Sequence, residues 1–378
     1  MKSRILQLSI LRAFAALSII TIHVTSGQVL TNGFAFILNQ VFRFGSPIFV
    51  MISGFILYYL EKRKPSPSYF YFFKHRFSKV AVPYLLWTLI YSIFDHRQDW
   101  LTNGALGAFI EVTPNIGLHL LTGTGYVHLY FVLIMIQLYA VFPFFYRWIT
   151  WYPKRLLIAS FFIQAAAAHA IYFHQIGWFT LPSIKIAYTT LALNWIFYFV
   201  FGLYVAQNYQ KMIDMNKKNR LILCLSLVWV GALALHLVDG YVTETYAHSV
   251  KPSTMFYSVA SFLLFFTLLH VLDGERRARW ELAITRGIEQ IAGQSFLLYL
   301  LHPLCLSLLV LFDQQINAAS LWLGTSGILY LWTATLLSSS LGIYLINRVP
   351  KASWLGGTKP NHKPLKSLAS TTIEPRRA

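Results

Sequence analysis

The chain of 378 residues is 56% hydrophobic and 17% aromatic, with 12% charged residues and a formal net charge of +18 at pH 7. A soluble domain carries about twice that share of charge, so the composition excludes a soluble globule and puts lipid around much of the surface. Backbone amides find no water in a bilayer core, and apolar runs of about 20 residues therefore read as spanning helices.

The first apolar run, 5–26, follows Lys2 and Arg4 in the manner of a secretory signal. It lacks a convincing small-residue cleavage site, holds Arg12 inside the run and precedes many further runs, so it reads as a retained first helix. The next runs fall at 36–60, 79–95, 128–146, 155–173, 188–206, 220–238, 254–272, 290–312 and 322–346. The expected fold is thus all-α and polytopic, with about ten transmembrane helices. In the second run, Pro47 and Ser53-Gly54 can kink the helix or let another backbone approach closely, and a pure packing role fits them equally. The stretch from Asp95 to Val127 holds an apolar piece, 105–110, too short to span; it reads as re-entrant or interfacial and points to a cavity. Cys224 and Cys305 both fall inside expected spans and read as small buried apolar residues, with no disulfide framework.

With the amino terminus inside, 26 Lys and Arg lie in or beside the inner loops and the two terminal segments, while the outer loops hold Arg97, Lys185 and Lys251. This positive-inside asymmetry puts both termini in the cytoplasm and assigns the basic charge to orientation in the membrane, with no call for a nucleic-acid partner. Residues 1–346 form the expected membrane domain. Residues 347–378, with four prolines and seven Lys and Arg, read as a basic, disordered cytoplasmic tail drawn to anionic membrane lipid.

Ionisable groups inside spans are costly and rare, so each is a functional candidate. None of the 13 carboxylates falls near the middle of an expected span, whereas Arg12, Arg43, His23, His169, His236, His270 and His302 lie in spans and His128 begins one. Arg12 and His23 are 11 residues apart, about three turns and roughly 16 Å along one helix face. Histidine suits proton abstraction from a hydroxyl, and arginine keeps its charge to hold an anion or an oxyanion; snorkelling and a polar helix contact are the alternative. Arg43 needs an anion, a carbonyl or water, and the sequence offers it no evident carboxylate. Arg76 and Lys79, three apart, can hold donor phosphates or simply add to the positive-inside charge. Ser295, Tyr299 and His302 form a polar stripe that lines a path or bonds to neighbouring helices. His169, His236 and His270 read as satisfied core or interfacial histidines. No metal-ligand set is evident.

Five segments in order carry a resemblance. They are Leu11-Arg12 through His23; Arg43-Phe44-Gly45-Ser46-Pro47 running to Ser53-Gly54-Phe55; Arg76-Phe77-Ser78-Lys79 before Pro83; His128-Leu129-Tyr130-Phe131; and Gly293-Gln294-Ser295 running to Tyr299 and His302-Pro303. Together they resemble the acyltransferase-3 family of bacterial membrane enzymes over residues 5 to 346. Lys79 stands where the family has a second arginine and Tyr130 where it has tryptophan, and lysine lacks the bidentate fork of arginine.

The resemblance implies transfer of an acyl group, expected to be acetyl, from cytoplasmic acyl-CoA to a hydroxyl of a cell-surface or lipid-linked saccharide. It implies His23 as general base or transient acyl carrier and Arg12 as orienter of donor or oxyanion. Arg76, Lys79, Ser295, Tyr299 and His302 are then donor contacts, and Arg43, Ser53 and His128 acceptor contacts. The expected location is the bacterial plasma membrane. With no hydrolase-like domain appended, the acyl group passes directly to its acceptor or to a separate envelope acyltransferase. The contrasting expectation is a glycan or lipid exporter using the same polar stripes, disfavoured by the lack of mid-span carboxylates. A membrane scaffold would leave the ionisable groups without a purpose.

Overall fold

The structure, a computed structural model, describes residues 5–182, 187–215, 219–272, 279–315 and 324–356. Among these residues the regular elements are all helical, and nine helices are long and apolar enough to cross a membrane. In chain order the α-helices are α1 (Leu6–Ser26), α2 (Gly33–Val41) joined to α3 (Gly45–Arg63), α4 (Tyr69–Asp95), α5 (Arg97–Thr122), α6 (Leu129–Trp151), α7 (Pro153–Gln175), α8 (Ile196–Gln207), α9 (Tyr209–Met215), α10 (Asn219–Val242), α11 (Pro252–Leu272), α12 (Arg279–Gln315) and α13 (Gly324–Ile346), of which α5, α8 and α9 are not among the nine. The end of the bundle holding Leu6 is called lower here, and that holding Ser26 upper.

Three departures from the expected spans have local causes. The second span is broken by a 3-10 turn at Phe42–Phe44. Proline cannot donate to the carbonyl four residues before it and its ring crowds that carbonyl, so Pro47 forces the break onto Arg43. The run expected at 188–206 becomes two 3-10 turns, Tyr188–Thr190 and Ala192–Asn194, followed by the 12-residue α8, which is too short to span alone. The segment expected to be re-entrant is helix α5, broken at Gly104 (φ 71°). Its carboxyl end reaches inward to the middle of α4, where the Tyr84 hydroxyl donates to the Leu120 carbonyl at 2.8 Å.

The core forms where backbones approach most closely. A Cβ on Gly54 of α3 would lie 2.2 Å from the Phe199 carbonyl oxygen, and one on Gly202 of α8 would lie 1.9 Å from that of Met51. Only hydrogen fits on either side of this crossing, which is the small-residue logic of helix association in lipid. The helices around it are well covered: 72% of the apolar window of the α2–α3 span is buried, against 6% for α10. Helix α10 is therefore peripheral, and Cys224 upon it is exposed, contrary to the buried position expected; Cys305 is half-buried.

Residues 347–356, expected to begin a disordered tail, instead turn through Lys351 (φ 63°) into a 3-10 turn, Ala352–Leu355, that packs against α4. The rest of the expected tail, 357–378, lies outside the described residues, as does Lys185.

Candidate active site

Prolines frame the site. Pro47, Pro83, Pro143 and Pro303 lie inside α3, α4, α6 and α12, each four residues after Arg43, Lys79, Tyr139 and Tyr299 respectively. Each strips the carbonyl of that residue of its intrahelical donor. In α12 the ladder is opened further, because the Tyr91 hydroxyl of α4 donates to the Leu300 carbonyl at 2.7 Å and accepts from the Leu304 amide at 3.1 Å. A side chain inserted into the i→i−4 ladder is a recognised cause of local distortion. It lies here on the turn that presents His302.

Three histidines from three helices meet at this turn. The rings of His23 and His302 are 5.1 Å apart, and those of His128 and His302 are 6.0 Å apart. Tyr91 packs on His128 at 5.0 Å and stacks on Tyr126 at 4.3 Å. The Tyr299 hydroxyl donates to the His128 carbonyl, and the Tyr126 and Ser307 hydroxyls are 2.6 Å apart. The His302 Nδ1 lies 3.0 Å from the Leu298 carbonyl. A carbonyl only accepts, so Nδ1 carries the proton and a neutral ring keeps its lone pair on Nε2. That Nε2 is buried without a hydrogen-bond partner. Neither ring nitrogen of His128 has one either, although the Leu300 carbonyl lies close. Buried polar atoms normally find partners, and these nitrogens stand available to a substrate hydroxyl or carbonyl.

Arg43 flanks this cluster, within electrostatic reach of His23. Its guanidinium donates to Asn39 Oδ1 at 2.6 Å, to Ser249 Oγ at 3.2 Å and to the Tyr246 carbonyl. Ser249 also meets the Tyr130 hydroxyl. These partners are neutral oxygens, so the site keeps a positive potential beside His23. Behind them, Lys251 pairs with Asp239 at 3.4 Å, and Asp239 accepts from Tyr172 at 2.7 Å and from Ser253. Burial lowers the Lys251 ammonium to about 8 against the pull of the Asp239 carboxylate.

A second polar group lies lower. The Tyr139 phenol of α6 is within hydrogen-bonding reach of Ser53 on α3 and within electrostatic reach of Arg12 on α1 and Arg76 on α4. His128 and Tyr139 are 11 residues apart, the separation of Arg12 and His23, so antiparallel α1 and α6 each connect the two groups over roughly 16 Å. His23, Tyr130 and Tyr139 are enclosed by protein yet keep part of their surface open.

The predicted residues therefore fall into two groups: His23, His128, Tyr299, His302 and Arg43 above, and Arg12, Ser53 and Arg76 below. Two do not join them. Lys79 is exposed, within electrostatic reach of His75, and the Ser295 hydroxyl is buried on the Ala292 carbonyl of its own helix at 2.9 Å. Tyr91, Tyr126, Tyr139, Asn39 and Ser249 escaped sequence reasoning; only Tyr139 had a usable signal, the repeated 11-residue spacing. Of the remaining histidines, His169 bonds the Ala165 carbonyl, His270 approaches Gln7, and His236 is buried against Ser253.

An acyltransferase-domain family model matches residues 5–348. Among curated proteins, the chain is 27% identical over 324 residues to a probable poly-beta-1,6-N-acetyl-D-glucosamine export protein of Staphylococcus epidermidis, covering 81% of this chain and 82% of that protein. It is 25% identical over 324 residues to a protein of the same description from Staphylococcus aureus (strain MSSA476), covering 81% and 83%. No solved structure matches significantly. The family match spans nearly the whole chain and all five motifs, and the chain belongs to the acyltransferase-3 family of membrane proteins.

Proposed function

We propose that this protein transfers an acyl group, acetyl being the simplest, from a coenzyme A thioester bound at the lower end to a hydroxyl of a saccharide bound at the upper end. The observation that carries this reading is the pair of polar groups on shared helices, cations below and histidines above. Arg76 and Arg12 suit the donor phosphates, and the narrow phosphopantetheine arm suits the path between the groups. Positive-inside charge puts the lower end in the cytoplasm, so donor and acceptor meet across the plasma membrane.

At the histidine cluster, His23 takes the proton of the acceptor hydroxyl as its oxygen attacks the thioester carbonyl carbon. The oxyanion forms beside the Arg43 guanidinium. The carbon–sulfur bond then breaks, coenzyme A leaves as a thiolate and takes the proton from His23, and the saccharide keeps the ester. Arg12, some 16 Å lower by helix geometry, fits donor orientation better than oxyanion binding.

The relatives' description as export proteins of a β-1,6-linked N-acetylglucosamine polymer supports a polymeric amino-sugar acceptor and also supports a second reading, export of that polymer. Purified protein incubated with acetyl-coenzyme A separates the two. Acyl transfer predicts binding in both wild type and His23→Ala, with slow hydrolysis or transfer that disappears in the variant; an exporter predicts neither binding nor turnover in the wild type.

A further inference from the structure

The chain beyond α13 turns back onto α4 and α12, two helices that carry the two groups. Helices α4 and α12 scarcely approach one another directly among the described residues. Tyr91 bridges them near the histidines. One turn below, about 6 Å along α4, the Trp87 indole donates to the Leu355 carbonyl at 3.0 Å. Gly356, at φ 90°, lies so close to α12 that a Cβ would sit 3.1 Å from the Phe296 ring and 3.3 Å from Leu300. The hook 350–356 is thus held on α4 by its last carbonyl and on α12 by a glycine in the left-handed region, where a side chain would be strained.

The hook lies on the path side of these helices. Trp87 is 11 residues from Arg76, so both lie near one face of α4, and Arg76 is within electrostatic reach of Tyr139. Trp87 is 2% exposed and packs at 5.7 Å on Tyr91, which packs on His128. On α12, Phe296 and Leu300 flank Tyr299 at helical spacing, and Tyr299 bonds the His128 carbonyl.

We propose that the segment 350–356 is a wall of the donor-binding path: it closes the cleft between α4 and α12 at the level where the phosphopantetheine arm passes from Arg76 to the histidines. This rests on the acyl-transfer reading. A wall that holds the arm contributes to donor binding in ground and transition states alike, so its loss raises KM and spares kcat.

The test measures apparent KM and kcat for acetyl-coenzyme A in membranes carrying the wild type, Gly356→Ala, a truncation after Val349 and a truncation after Gly356. Gly356→Ala and the shorter truncation are expected to raise KM about tenfold, roughly 1.4 kcal/mol, with kcat within twofold; the truncation after Gly356 keeps the wild-type KM. Gly356→Ala carries the test if the shorter truncation fails to insert. Wild-type KM in Gly356→Ala, with transfer intact, overturns the hook alone. Absence of transfer in the wild type overturns the acyl-transfer reading and the hook with it.

Discussion

The two polar groups differ in the kind of side chain they hold. The lower group sets the guanidinium groups of Arg12 and Arg76 within electrostatic reach of one phenol. The upper group is built from imidazoles, of which His302 has its free Nε2 fixed by the bond of its Nδ1, with a guanidinium beside them bonded to neutral oxygens. A permanent cation binds an anion without moving protons, whereas an imidazole exchanges protons near neutrality. On this comparison, binding belongs below and chemistry above.

Breaking the upper end has the largest expected effect. His23→Ala should lower transfer at saturating donor by at least about 100-fold, the lower range for general acid–base catalysis, while donor KM stays near wild type; steady-state kinetics in membranes check both. The seam that holds both ends comes next. Gly202→Ala drives a methyl into the Met51 carbonyl at 1.9 Å, and thermal unfolding in detergent should report a loss of about 1–3 kcal/mol, the usual cost of overpacking. Unaltered stability would mean that α3 and α8 can separate freely.

Breaking the lower end should have the inverse kinetic signature. Arg76→Ala is expected to raise donor KM about tenfold, equivalent to roughly 1.4 kcal/mol, with kcat nearly unchanged; a kcat effect with normal KM would erase the distinction between the ends. The smallest effect is expected for Lys79→Ala, because the side chain is exposed and solvent screens an exposed charge. A KM change under threefold is the expected reading, and one matching Arg76→Ala would restore Lys79 to the donor site.

Much of this was legible in the sequence because lipid enforces simple rules. Runs of apolar residues had to be helices, and Arg12 and His23 had to share a face. The break at Arg43 was written in Pro47, four residues on. The third dimension was not legible. No spacing rule tells that Tyr91 enters the ladder of α12, more than 200 residues away, or that Asn39 and a loop at 246–249 hold Arg43. The hook was missed for another reason: a polar, proline-bearing terminal segment has the composition of a disordered tail, yet a few residues of it are fixed by one indole and one glycine. The run at 188–206 was apolar enough to span but breaks into short turns before α8, which hydropathy alone does not register.

The most direct test of the account follows radiolabel from acetyl-coenzyme A, supplied to the cytoplasmic side of inside-out membrane vesicles, into the glycan fraction made by wild-type protein or His23→Ala. The account predicts label in an alkali-labile ester on glycan with the wild type and background with the variant. Equal labelling by both would contradict it.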